Sequence, residues 1–500
     1  MSRSSPTQSA RWILPAIILL AFSLGTLYAI YTPDWQAPDE PAHYNYVKYL
    51  ATVHRFPVLK AGDYPAEYLE EIKAARFPPE LSIDPLRYEF HQPPLYYLLA
   101  VPVYQVFRGD LLPLRMLSVV IGALLLLVIQ WTVQALVPDR PFVALGATAF
   151  AAFLPMHLAM TAAANNDILA ELLLTLLLLL SIRYLRLNRG TADPRQEVQL
   201  LILMGITTGL CFVTKSAIYV GLPIGLLAIA LKKLCLERGS EAGTSGPGPV
   251  KAGVVYLLPA FALGLPWWLR NIALYGQGDF LGLNRHAEVV VGQLRTAEFI
   301  AERGAAQLIR DFLLTSFRSF WGQFGWMGVL LDERLYLALA ILSALALIGF
   351  GLLALRIWRR RDAFPAWQWA AGAILGFSGA LTLAGYLWYN VQFLQHQGRY
   401  LFIALMPISL AAALGWREAL RREHTWLLVS LVLVGTAVLA LAGLLSKWLL
   451  AMLLVTALAL AIRRFLPRQW DPVIQACPYL LLIVLDLASL FFFVVPQLAR

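Results

Sequence analysis

Apolar residues fill this chain in long runs broken by short polar stretches, and most runs reach the ~20 residues that a helix needs to cross a ~30 Å hydrocarbon layer. They occupy residues 12–31, 113–136, 141–162, 166–185, 198–214, 216–231, 252–272, 335–356, 366–389, 400–416, 425–445, 447–462 and 473–496. One further run, LYYLLAVPVYQVF at 95–107, is shorter and carries Pro102. The basic stretches RYLRLNRG (Arg183–Gly190), RIWRRR (Arg356–Arg361), WREALRRE (Trp416–Glu423) and IRRFLPR (Ile462–Arg468) should all face the cytoplasm, because positively charged loops stay inside. If the 95–107 run crossed, all of them would face outside. Laid along the outer interface, where its tyrosines are well solvated, it places them inside. The pattern therefore predicts an all-α polytopic membrane protein of about thirteen spans. Its amino terminus is expected in the cytoplasm, its carboxyl terminus outside, and its long exterior segments at roughly 32–111 and 273–334.

Composition agrees with that pattern: 59% of the 500 residues are hydrophobic and 14% charged. The net charge of +10 is explained by cytoplasmic loops and not by nucleic acid. Cys211, Cys235 and Cys477 lie on separate segments without metal-ligand spacing. The first apolar run follows a basic tip and is followed by no small-residue cleavage site, so it reads as an uncleaved span. The connector Glu237–Lys251 has the Gly, Ser and Pro content of a flexible linker.

The chemistry should then lie outside. In DEPAHY, Pro41 opens a helix and holds Glu40 out of helical geometry, leaving Asp39 and Glu40 at a helix amino terminus whose dipole favours their ionised forms. Adjacent side chains cannot address one point, so one acid does chemistry and the other structural work. His43, four residues after Asp39, is placed to orient its carboxylate. His91 and Gln92 precede a double proline that stiffens the chain into the 95–107 segment. Asn165, Asn166 and Asp167 begin a span, and together exceed what one cap requires. Glu171 lies a turn deeper and needs a partner.

Cations come to the same boundary from separate segments: Lys215 in FVTKSAIY, Arg270 in PWWLRN, and Arg399 with His396 in FLQHQGRYLF. Together they form a site for an anion at membrane depth, Arg being suited to bidentate phosphate contact. The stretch SFWGQFGWMGVLLDERLY (Ser319–Tyr336) is expected either to cover a lipid chain or to anchor at the interface through its tryptophans. Asp486, deep in the last run, is assigned an interhelical hydrogen bond.

The order of these features resembles the GT-C superfamily of integral-membrane glycosyltransferases, near the protein mannosyltransferase and aminoarabinose transferase branch. The features are the first-loop acids, PPLYY, N-D at a span's outer end, the LxxxTK turn, PWWLRN, and RY before a proline-bearing span. FWGQFGWMGV and QGRYLFIALMPI are also similar to a bacterial membrane-protein family grouped with them. The resemblance implies a transmembrane catalytic module over 1–416, with the helices of 417–500 carrying no usable motif. It further implies transfer of a sugar from a polyprenyl-phosphate donor to a protein, lipid or polysaccharide acceptor on the outer face of a bacterial cytoplasmic membrane. Asp39 would be the base, with Glu40 beside it. His43, His91, Gln92, Asn166 and Asp167 would meet substrate, and Lys215, Arg270, His396 and Arg399 the donor phosphate. In relatives the residue before the double proline is often basic or histidine, whereas here it is Gln92. No cofactor is expected, although Asp39, Glu40 and Asp167 are candidates for a divalent cation of the kind some relatives hold. The competing class is a transporter or lipid flippase, which would place charge near the bilayer midplane and often show repeated halves. A scaffold is the third.

Overall fold

The structure is a computed structural model and describes residues 10–187, 193–237, 246–276 and 278–499. The basic amino-terminal tip, most of the connector at 237–251 and the end of the RYLRLNRG anchor lie outside the described residues. Among the rest, eleven helices are long and apolar enough to cross a membrane, and a twelfth span forms if Pro141–Ala152 and Pro155–Thr161 are counted together. That pair is bent by 67°. The cause is local: Leu154 precedes Pro155 and is held extended, at ψ 110°, so the first helix stops and Pro155 starts another.

The difference from about thirteen spans falls on Pro194–Phe212. This segment is helical as expected, but Arg195, Gln196, Glu197 and Gln199 make its first turns polar. The short Leu95–Val106 helix follows Pro93 and Pro94 and is not long enough to cross.

The basic stretches do gather at one end of the bundle. Arg356 reaches Glu418 at 2.8 Å and Glu423 at 3.2 Å, while Arg422 and Arg463 reach Asp471 at 3.1 and 3.0 Å. Arg186 caps the Ala135 carbonyl at the same ends of its helix and its neighbour. Close helix crossings depend on glycine: a Cβ on Gly349 would overlap the Gly415 carbonyl oxygen of the facing helix. Large apolar side chains such as Leu347 and Leu441 remain 73% and 91% exposed, as a lipid solvent permits.

At the opposite end the long loops form a cap. The expectation for Ser319–Tyr336 is replaced by a small antiparallel hairpin, Gln323–Phe324 with Val329–Leu330. Its Trp326 indole donates to the Trp35 carbonyl at 3.0 Å and its ring stacks on Phe77. The hairpin therefore ties the two exterior segments together. The last span packs against the first, where the Tyr28 hydroxyl donates to the Asp486 carbonyl at 3.0 Å. The interhelical bond expected of the Asp486 side chain is thus made by its main chain, and both carboxyl oxygens are buried without a hydrogen-bond partner among the described residues.

Candidate active site

The turn at Asp39 sets the geometry. The helix runs Glu40–Val53, so Glu40 is its first residue and not, as expected, a residue outside it. Asp39 is the cap, at φ 66°, a left-handed conformation that Asp tolerates better than most residues. Its side chain makes no capping bond. The carboxylate instead accepts from the Tyr88 hydroxyl at Oδ1 and from Arg399 Nη2 at Oδ2, both at 3.0 Å.

The neighbouring acid is spent on structure. Glu40 is fully buried and receives Arg115 at both oxygens, Nε to Oε1 at 2.8 Å and Nη2 to Oε2 at 2.6 Å. The Ala164 amide adds a third bond at 3.1 Å. Arg115 uses its remaining donors on the Ala29, Thr32 and Pro33 carbonyls, locking the exit of the first span. Glu40, expected beside Asp39 in the chemistry, has no free oxygen to offer.

Arg399 stands on the short turn Gly398–Ala404. Gln397 accepts from its Nε at 2.7 Å, and Nη1 points at the Met160 sulfur at 3.5 Å, with the Tyr400 ring beside the guanidinium. The second cation, Lys215, pairs with Asp167 and donates to Asn166 Oδ1 at 3.2 Å. Asn166 in turn donates to the Thr214 carbonyl at 3.2 Å and to Gln92 Oε1 at 3.5 Å. Arg399 and His43 also act electrostatically on Asp167, so the pairs belong to one charged cluster.

Burial raises the Asp39 carboxyl, but the Arg399 guanidinium and then His43 outweigh it and hold the group below its ordinary value. Asp39 is therefore ionised at neutral pH. Burial lowers His43, despite the opposing pull of Glu89, and pushes His91 down to about 4.

Several expected roles are corrected. His43 does not orient Asp39: its Nδ1 pairs with the Tyr97 hydroxyl at 2.8 Å, although the ring stays in the cluster. His91 is buried, bonded to the Tyr88 carbonyl at 3.0 Å, with its ring 4.3 Å from that of His286. Arg270 is turned away, onto the Pro57 carbonyl and the Trp267 ring. His396 packs against Phe312 and not against the anion site. Glu171 does find a partner, His157 Nε2 at 2.9 Å.

Sequence reasoning missed Tyr88, Glu89, Arg115 and His286. Arg115 carried a usable signal, a charge inside an apolar run. Among the described residues no three metal-ligating side chains converge. Asp39, Glu40 and Asp167 each hold a cationic side chain, so this set does not fit a divalent ion.

Comparison with known proteins agrees with this architecture. Residues 91–241 match the family described as dolichyl-phosphate-mannose-protein mannosyltransferase. No curated protein matches the sequence significantly. The chain is similar to ArnT from Cupriavidus metallidurans in the apo state, with TM-score 0.53, 12% identity, and coverage of 97% of this chain and 77% of that one. The same protein bound to undecaprenyl phosphate gives TM-score 0.51 at the same identity and coverage. The oligosaccharyltransferase AglB from Archaeoglobus fulgidus gives TM-score 0.45 and 15% identity, covering 96% of this chain and 56% of that one. The chain therefore carries the fold of the GT-C-type membrane glycosyltransferases.

Proposed function

We propose that the protein is a glycosyltransferase that takes a sugar from a polyprenyl-phosphate donor and passes it, with inversion, to an acceptor hydroxyl on the outer face of a bacterial cytoplasmic membrane. The observation that carries this reading is the 3.0 Å contact between Asp39 and Arg399, a carboxylate unspent on capping opposed by a guanidinium with a nearly free donor. The lipid phosphate bound by the similar ArnT supports the donor class.

The residues then have distinct tasks. The donor phosphate binds Nη1 and Nη2 of Arg399 and the ammonium of Lys215, which hold its charge as the glycosidic C–O bond breaks. Asp39 takes the proton of the attacking acceptor hydroxyl as its oxygen bonds the anomeric carbon. The phosphate leaves as an anion and needs no acid, so one base suffices, unlike glycoside hydrolysis with its two carboxyl groups.

The pairing of Asp39 with Arg399 gives donor binding a second effect. While Arg399 sits on Asp39, the carboxylate is a weak base. A phosphate that draws the guanidinium away restores its basicity, so the base is strengthened once the donor is in place. Tyr88 keeps the freed carboxylate aimed.

The test is to incubate the reconstituted protein with radiolabelled polyprenyl-phosphate sugars and to compare Asp39→Asn. Transfer by the wild type and a loss of at least about 10³-fold in the variant are expected. Turnover at the wild-type rate in the variant would remove Asp39 from its role, and solute uptake into vesicles without bond cleavage would favour a transporter.

A further inference from the structure

Of the four acids gathered at the exterior end, Asp39, Glu40 and Asp167 each have a cationic partner. Glu89 has none among the described residues, and its Oε2 is buried without a hydrogen bond. The group stands on the Tyr88–His91 turn, next to the tyrosine that holds Asp39. It interacts electrostatically with His43, Asp39 and Lys215, so it belongs to the same cluster as the base and the phosphate-holding cation. A donor whose phosphate is on Lys215 and whose anomeric carbon faces Asp39 brings its ring to this cluster.

We infer that Glu89 is a specificity-determining residue whose Oε2 hydrogen-bonds a hydroxyl of the transferred sugar. This rests on the glycosyl-transfer reading and adds to it the group that recognises the ring. The neutral form of the carboxyl suits this contact. Burial raises it, and the opposing pull of His43 and Lys215 does not cancel that effect. A neutral acid both donates and accepts, which suits a hydroxyl, and it does not repel the nearby phosphate. The groups facing it are His43 from the Glu40–Val53 helix, Asp39 at that helix's cap, Lys215 after the Pro194–Phe212 helix, and Gln92 on its own segment. Tyr97 and Tyr389, from two further helices, complete the surroundings.

The rate profile should therefore contain the ionisation of Glu89 as its more alkaline limb, above the ordinary carboxylate range, with activity falling as the proton is lost. The experiment uses the full chain in lipid nanodiscs, with undecaprenyl-phosphate glucose, its monodeoxy analogues and undecaprenyl phosphate as probes. Glu89→Ala should lower kcat/KM about tenfold and erase the preference for the parent sugar over one deoxy analogue. Glu89→Gln, which keeps a donor and an acceptor, should stay within about threefold of wild type and lose the alkaline limb.

Infrared difference spectra provide a readout that needs no turnover. A protonated-carboxyl band present in wild type and absent from Glu89→Gln should vanish with rising pH and shift on adding the sugar donor, but not on adding undecaprenyl phosphate alone. If no donor is turned over but the band shifts with the sugar, the transfer reading fails and Glu89 keeps its sugar contact. A band that no sugar donor moves, or an Ala variant with unchanged analogue preference, overturns the inference.

Discussion

Adjacent acids with opposite duties allow a sharp separation of stability from activity. Replacing Glu40 by Ala removes both bonds from Arg115, which is only 2% exposed, and leaves its guanidinium with three backbone carbonyls and the largely exposed Asp34 carboxylate at 3.9 Å. Breaking a buried ion pair from one side costs about 3–5 kcal/mol. The Ala164 amide loses its acceptor as well. At 1.4 kcal/mol per tenfold, the loop joining the first span to the Glu40–Val53 helix should open about 10² to 4 × 10³ times more often. Hydrogen exchange by mass spectrometry on residues 29–40, with the protein in nanodiscs, measures that opening. Asp39→Asn removes a charge from a partly exposed group and keeps both contacts if its Oδ1 accepts from Arg399 and its Nδ2 donates to the Tyr88 hydroxyl oxygen, so exchange over the same segment should change less than about tenfold. Turnover should show the reverse order, collapsing in Asp39→Asn and falling in Glu40→Ala only as far as the loop is displaced. If Glu40→Ala exchanged like wild type yet lost all turnover, Glu40 would be a chemical residue and the division of labour argued from Arg115 would be wrong.

Other consequences are equally open to measurement. Arg399→Lys keeps the charge but loses the fork, and should lower kcat/KM by about 10²-fold in a donor-transfer assay. Tyr88→Phe leaves Asp39 aimed by Arg399 alone and should cost about tenfold in kcat/KM with little change in melting temperature. The acid limb of the kcat/KM profile belongs to Asp39, which must be ionised to act; because Arg399 holds it low in the free enzyme, that limb should lie below the ordinary carboxylate range and move up in Arg399→Gln. His91 and His286, pushed down to about 4 and about 3 by burial, stay neutral in the fold but charge in the unfolded chain. Their contribution to stability is therefore complete above about pH 6.5 and should drain away as pH falls towards those values, which thermal unfolding at stepped pH will detect. A Cβ on Gly398 would overlap the Ser316 carbonyl oxygen, so Gly398→Ala should displace the Arg399 turn and reduce both thermal stability and donor-phosphate binding.

Sidedness was the legible part of this protein, because charge at a membrane boundary is costly and therefore informative. Alternation of the basic stretches assigned Asp39, Asp167, Lys215 and Arg399 to one end, and the structure brings all of them into a single cluster. Lateral position was not legible. Arg270 and His396 share that boundary, yet one serves the loop at Phe56 and Pro57 and the other a helix at Phe312, since helix order around a bundle leaves no mark in periodicity. Single residues in irregular loops were missed for a related reason. Tyr88 and Glu89 owe their places to a one-turn helix whose aim depends on chain segments far away. The polar start of Pro194–Phe212 shows the limit of reading spans by length alone, since packing against the Pro249–Tyr275 helix makes up for what hydropathy lacks.

The Trp326–Trp35 tie gives the surface a handle on the interior. Trp35, at φ 66°, occupies a backbone region that bulky residues rarely adopt, and the hairpin's indole helps to keep it there, four residues before Asp39, the proposed base. A binder that grips the hairpin from outside and breaks that tie would let the loop relax and carry the base out of register. The reaction can thus be throttled from the protein's exposed rim, by a molecule that never competes with either substrate.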